Sequence, residues 1–302
     1  MKIIVTGSSG FIGSNCVAAW TKHHEVVTVD KVGCPDVLTD MIGSLVEDER
    51  FIGADAVVHL ASKSNVAVEP GDEDYIVSHN LALAAKAHLW CRRYRIPILI
   101  HASSSAVYGD HDVPPYKEDS NCEPLSAYGH SKLFSEHLLN DLGDNNRSPQ
   151  VVSFRLFNAI GDFQKSTMLP WIAMRASETK QPVTLFGRTL RSWTSVKEIV
   201  RVFEHVACQR ARLKDKHTIV NLGLDNPMSQ TELFDLMRSV APEVSVPYVM
   251  GERRSFEMFK TQPDLTLFRS LMGTEMLPTV TALREAVSSS ISWYKRQQFT
   301  ST

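Results

Sequence analysis

The sequence predicts an α/β protein, a doubly wound parallel sheet followed by a smaller α/β portion at the C-terminal end. Three observations predict it. Short β-branched apolar runs alternate with longer stretches of helical periodicity through the first half of the 302 residues, the rhythm of βαβ units around a sheet buried on both faces. A glycine-rich turn, Gly7-Ser-Ser-Gly10-Phe-Ile-Gly13, joins the first run to the first helical stretch. Asp30 closes the second run.

In chain order, residues 2–6 read as a strand because Ile3, Ile4 and Val5 form an unbroken branched run, and 25–30, 56–60, 96–103 and 151–156 follow the same rule. Residues 11–22, 76–93 and 127–142 carry apolar side chains at helical spacing between those runs. Beyond residue 158 the alternation fades, although 196–212 reads as a helix, 218–222 as a strand and 282–296 as a closing helix. No internal repeat or long linker interrupts the chain.

Composition narrows the function classes. With 43% hydrophobic and 22% charged residues the chain is built to bury a core, and a net charge of −2 supplies no field for gripping nucleic acid or an anionic membrane. No apolar run approaches the roughly 18 residues of a membrane span, and no targeting segment is expected. The five cysteines (Cys16, Cys34, Cys91, Cys122, Cys208) are scattered without a CxxC pair, which argues against a disulfide framework or a zinc site and fits a reducing, cytoplasmic setting. The eleven histidines show no HExxH spacing, so no metal is expected.

The glycine turn carries the first chemistry. Glycine permits the positive φ of a tight turn, lets the backbone approach a diphosphate and, at Gly13, lets helix pack closely on strand. The helix start behind it offers free N–H groups and a dipole to phosphate oxygens. A carboxylate at Asp30 accepts hydrogen bonds from both adenosine ribose hydroxyls and repels a 2′-phosphate, so the turn points to a dinucleotide and to NAD over NADP, with Lys31 tempering that preference. Residues 1–157 are accordingly expected to form the NAD-binding body, with 191–222 returning to it, while 158–190 and 223–302 form the substrate-binding portion.

Tyr128-Gly-His-Ser-Lys132 places a phenol and an ammonium one helical turn apart, and the strand upstream ends in Ser103-Ser104-Ser105. A phenol titrates near pKa ~10, so a tyrosine base at neutral pH needs positive charge close by, which Lys132 supplies. A serine hydroxyl delivered to the same cleft can hydrogen-bond the oxygen that becomes a carbonyl.

With these motifs the sequence resembles the extended short-chain dehydrogenase/reductases of Rossmann fold, the NAD-dependent epimerase/dehydratase group. The likeness rests on residues 6–13, His59-Leu60-Ala61-Ser62, Asn80, Ser103 to Gly109, Tyr128 to Lys132 and Phe154-Arg-Leu-Phe-Asn158. The resemblance implies Ser104, Tyr128 and Lys132 as the catalytic set. For NAD it implies contacts from Gly7, Gly10, Phe11, Ile12, Gly13, Asp30, Lys31, Leu60, Ala61, Ser62 and Asn80 beside Tyr128 and Lys132. For substrate it implies Ser104, Ser105, Asn158, Arg191, Arg254 and Thr261, the two arginines gripping the phosphates of a UDP-, dTDP- or GDP-sugar and a small Thr261 leaving room for an N-acetyl group. Dehydratases of the group carry an Asp-Glu pair where this chain has Ser105-Ala106, so dehydration is not expected. The expected activity is an NAD-dependent nucleotide-sugar epimerase working at C4 through a transient 4-keto sugar. A reductase or dehydrogenase with exchangeable NAD(P), or a non-catalytic NAD-binding regulator, are the alternatives. The resemblance also implies a homodimer formed through helices 76–93 and 127–142.

Overall fold

Seven parallel strands form the central sheet: β1 (Lys2–Thr6), β2 (Glu25–Asp30), β3 (Val37–Leu38), β4 (Ala56–His59), β5 (Ile98–Ser104), β6 (Gln150–Leu156) and β11 (His217–Leu222). Their spatial order is β11-β6-β5-β4-β1-β2-β3. The computed structural model describes the chain apart from residues 43–45, 65–70, 111–112, 144–147, 187–188, 210–212, 214, 253–256 and 300–302 and the side chains of 298 and 299. The inner strands lack the polar–apolar alternation of a half-exposed sheet because helices cover both faces. On one face α1 (Phe11–Trp20) and α5 (Val196–Cys208) bury Trp20, Ile199 and Phe203 against Ile3, Val58, Ile100 and Phe154. On the other, α2 (Glu73–Tyr94) and α3 (Ala127–Leu142) bury Leu83, Ala87, Trp90 and Leu139 against Ile4, Val57 and Leu99.

Strand β1 pairs with β2 on one side and β4 on the other, so chain order reverses there and a crevice opens beyond their carboxyl ends. Every motif that carries chemistry lies at that edge. The turn after β1, the loop after β4 and the end of β5 are neighbours because β1, β4 and β5 are.

The second half adds short elements: β7 (Asn158–Ile160), α4 (Leu169–Thr179), β8 (Val183–Phe186), β9 (Leu190–Arg191), β10 (Trp193–Ser195), β12 (Met228–Ser229), α6 (Gln230–Val240), β13 (Tyr248–Gly251), α7 (Thr266–Met272) and α8 (Val280–Phe299). Three two-stranded ribbons result, β7 with β10, β9 with β12 and β8 with β13. A second core of Met174, Leu185, Leu233, Phe234, Leu283 and Val287 joins α4, α6 and α8 to them. Most of these elements are invisible in the sequence, since a strand of two to four residues carries no readable period. The long elements match to within a few residues: the first helix stops at Trp20 rather than 22, the second begins at Glu73 rather than 76, and the closing helix runs Val280–Phe299 rather than 282–296.

Candidate active site

The glycine turn is shaped by contacts no side chain could survive. Gly7 sits at φ +69° with the Ala61 nitrogen 2.6 Å from where a Cβ would project, and a Cβ on Gly13 would lie 2.1 Å from the Gly7 carbonyl oxygen. Helix α1 therefore starts tight against β1. Its N-cap is Gly10, and no side chain caps it, so the amides of Phe11, Ile12 and Gly13 keep the first-turn donors directed at the cleft those residues line. That cleft encloses about 900 Å³. Asp30 lines it too, oriented by three amides: Ser9 N donates to Oδ2 at 2.9 Å, and Lys31 N and Val32 N donate to Oδ1 at 2.7 and 3.3 Å. Thr6 Oγ1 accepts from Leu60 N and Ala61 N at 3.2 and 3.3 Å, which fixes the loop after β4 so that Leu60, Ala61 and Ser62 form the next stretch of wall.

Asn80 is elsewhere. Its carboxamide accepts from Lys63 N at 2.8 Å and donates to Lys63 O at 3.1 Å and Ser131 Oγ at 2.8 Å, and it does not line the cleft. The side chain braces the β4 loop from behind, because both ends of a carboxamide are consumed by one backbone unit and a helix hydroxyl.

Ser104, Tyr128 and Lys132 lie together at this cleft. Ser104 ends β5, and its Oγ accepts from Ala106 N at 3.2 Å and is hydrogen-bonded to the Tyr128 hydroxyl. Helix α3 starts from a Ser126 cap whose Oγ accepts from Gly129 N at 3.1 Å, so Tyr128 lies in the first turn and Lys132 one turn on. Lys132 is 4% exposed; its Nζ donates to Ala102 O at 2.8 Å and lies 5.7 Å from the centre of the Tyr128 ring. Burial pulls the Lys132 ammonium down to about 8, opposed by the Glu136 carboxylate. Burial also pushes the Tyr128 phenol above its usual value, opposed by the Ser104 hydrogen bond. The sequence alone predicts that Lys132 lowers the phenol; in the structure desolvation is the largest influence on it and the Ser104 hydrogen bond is what opposes.

On the substrate side, Ser105, Asn158, Arg191 and Thr261 all line the same cleft. Asn158 is fixed by its amide donating to Ser192 O at 3.1 Å, and its carboxamide makes no hydrogen bond among the described residues. Thr261 is buried, its Oγ1 accepting from Ser192 N at 3.2 Å. Arg191 Nη1 donates to Leu190 O at 3.2 Å. Arg254 lies outside the described residues. Lys31 lines the cleft wall beside Asp30.

Sequence reasoning misses what lies under Lys132. Glu136 is 1% exposed and makes a two-pronged bridge to Arg155 of β6, with Nη2···Oε2 2.8 Å and Nε···Oε1 3.1 Å. Its spacing from Lys132 repeats the Tyr128–Lys132 step, which is the available signal. His59 and His101, neighbours across β4 and β5, stack at 5.5 Å with an interplanar angle of 17°. Burial, and then Lys132, push the His59 imidazole down to about 3 and His101 well below its usual range, so both are neutral.

The sequence profile of the NAD-dependent epimerase/dehydratase family matches residues 3–223. The chain belongs to that family. Among its relatives, the UDP-glucose 4-epimerase of Lactobacillus helveticus is 24% identical, with 98% of this chain and 97% of that one covered, and that of Neisseria meningitidis serogroup C is 26% identical, with 94% and 95% covered. Of solved structures, MoeE5 in complex with UDP-glucose and NAD superposes with a TM-score of 0.86 at 26% identity over 99% of this chain and 100% of that one. This family member fits the family's cofactor, NAD: the uncapped helix start, the glycine cradle that a Cβ would fill and the Asp30 carboxylate form one continuous wall. Among the described residues no helix is long and apolar enough to cross a membrane.

Proposed function

We propose that this protein is an NAD-dependent nucleotide-sugar epimerase that inverts C4 of a UDP-hexose through a transient 4-keto sugar. The observation that carries the reading is the convergence of Ser104, Tyr128 and Lys132 on one cleft with the glycine turn, at a strand end where Ser105 and Ala106 stand and no carboxyl group follows the catalytic hydroxyl. The relatives named UDP-glucose 4-epimerase, and MoeE5 with its UDP-glucose, support a UDP-sugar over other nucleotides.

In this reading Tyr128 Oη takes the proton of the C4 hydroxyl and returns it to the same oxygen after the sugar has turned. Ser104 Oγ holds that oxygen by a hydrogen bond throughout. Lys132 contributes the positive charge that offsets the desolvation of the phenolate. Asn158 and Arg191 hold the substrate diphosphate so that the sugar can rotate without leaving, and Arg191 is suited to this because its charge is permanent and its donors are forked. The chemistry NAD supplies when bound is acceptance and return of the C4 hydride, with a positive charge beside the phenol in its oxidised form. Gly7, Gly10, Phe11, Ile12, Gly13, Asp30, Lys31, Leu60, Ala61 and Ser62 would hold it.

The division into a cofactor body (1–157 with 191–222) and a substrate portion (158–190 and 223–302) belongs to the same proposal. So does a homodimer through α2 and α3, which present Leu89 and Phe134 to the surface and which light scattering would reveal.

The test is to incubate the purified protein with UDP-glucose or UDP-galactose without added cofactor and to analyse the products. Interconversion of the two with no net NADH is expected. Stoichiometric NADH release would replace the epimerase with a dehydrogenase, and no turnover of any UDP-, dTDP- or GDP-sugar by a protein that binds NAD would remove the enzymatic reading.

A further inference from the structure

Tyr128, Lys132 and Glu136 occupy successive turns on one face of α3, yet they live in different surroundings. Tyr128 faces the cleft and Lys132 stands at its floor. Glu136 lies deeper, with its side chain fully covered, locked by the forked Arg155 bridge and by a hydrogen bond from Ser103 Oγ. Arg155 is itself anchored, donating from Nη1 to Glu118 O at 2.9 Å and lying 4.8 Å above the Tyr108 ring. The carboxylate therefore has one permanent position. It makes no ion pair with Lys132, whose Nζ is taken by Ala102 O. Its influence on Lys132 reaches through a medium nearly free of water, where a charge acts over longer distances than at the surface.

We propose that Glu136 is a positioning residue of the active site: a fixed buried carboxylate, clamped by Arg155 and Ser103 one turn below Lys132, that keeps Lys132 in its ammonium form beside Tyr128. The other groups around Lys132 and Glu136 cannot do this. From β4 and β5, His59 and His101 present neutral imidazoles, and a proton on either would oppose the ammonium. From β11, His217, which interacts electrostatically with Glu136 and Arg155, is bonded through Nε2 to Ser153 Oγ at 2.8 Å and is likewise pushed toward its neutral form by burial. Tyr128 on α3 is an uncharged phenol until it reacts. Arg155 on β6 is a cation held by Glu136, and Glu136 is the carboxylate that favours the charged form of both Lys132 and Arg155. Burial alone drives Lys132 toward the free amine, and a neutral lysine would leave the Tyr128 phenolate without the charge its role requires.

A structural role for the bridge and this electrostatic role predict different things, because Glu136→Gln and Arg155→Gln break the same bridge from opposite sides. The readout is the pH midpoint of the Lys132 Cε resonance in protein carrying isotope-labelled lysine, assigned by its absence in Lys132→Met. Glu136→Gln should lower that midpoint by about one pH unit, a tenfold shift of the equilibrium. Arg155→Gln should leave it unchanged or raise it, and Glu136→Asp, which keeps the charge, should stay close to the parent. Glu136→Gln strands a buried guanidinium, so the double variant Glu136→Gln/Arg155→Gln, which removes it, is measured alongside and should still fall below the parent. An unchanged midpoint in both the single and the double variant of Glu136, or an equal fall in Arg155→Gln, overturns the proposal. In turnover, the alkaline limb of the Glu136→Gln profile should retreat by the same interval. The functional weight of this inference rests on the proposed roles of Tyr128 and Lys132, but the resonance needs no substrate, so failure of those roles and failure of this one are separately visible.

Discussion

The glycine turn and the inner face of α3 both prepare for charge, and they do it by opposite means. At the turn no charged side chain caps the first-turn amides; anion affinity comes from backbone N–H groups left uncapped because glycines bring helix and strand into contact. Under Lys132 the charges are side chains removed from water: the Glu136 carboxylate of α3 is bridged to Arg155 of β6, beside the neutral imidazoles of β4 and β5. A backbone site tolerates almost any solvent-facing neighbour but no Cβ at its glycines. A side-chain site tolerates changes of shape but not an unmatched charge.

The sharpest test of that contrast is Tyr128→Phe, which should cost about two to four orders of magnitude in turnover while NAD affinity, set at the turn, stays within a few-fold by calorimetry. Comparable loss of both would join the two regions. Gly13→Ala is the converse experiment. Its Cβ would lie 2.1 Å from the Gly7 carbonyl, against rigid backbone, so NAD affinity should fall about a hundredfold and stability by about 1–3 kcal/mol in urea denaturation; an unaltered affinity would show that the turn relaxes. Acid should expose the side-chain region alone. Folded His59 stays neutral until about pH 3, whereas the unfolded imidazole protonates near 6.5, so protons favour the unfolded chain throughout that window. Unfolding free energy should decline by about 1.4 kcal/mol per pH unit below 6.5 for this group, with His101 adding in the same direction. His59→Asn should flatten the slope, and a slope unchanged in that protein would assign the acid loss elsewhere. The smallest effect is expected from Asp30→Ala, about tenfold in NAD affinity, because one carboxylate's hydrogen bonds to a ribose are lost while the diphosphate cradle remains.

Legibility in the sequence divides along the same line. The turn can be read because glycine has one physical use there and the neighbouring strand and helix are long enough to show their periods. Asp30, Tyr128 and Lys132 stand out by position at a strand end and by helix spacing, whereas Ser104 is singled out from Ser103, Ser104 and Ser105 only by the family resemblance. The buried partners do not: Glu136 and Arg155 lie on elements joined only by folding, and a glutamate in a helix reads as a solvated residue until the strand behind it is known. Asn80 shows something else the sequence leaves unread: its motif position implies a cofactor contact, and the structure adds that its amide braces the loop after β4. Beyond residue 158, ribbons of two or three residues such as β9 and β12 are created by partners distant in the chain, and nothing local announces them.

Asn15 of α1, 8% exposed, donates from one side-chain nitrogen both to Phe11 O of its own helix at 2.9 Å and to Asp162 O at 2.8 Å, in the strap that follows β7. That single amide is a rivet between the helix that starts at the glycine turn and the strap whose Lys165, Thr167 and Met168 line the same cleft. A displacement of the strap that left the helix in place would have to break the Asn15 bond to Asp162, so the two walls keep their spacing through a bond that touches neither motif.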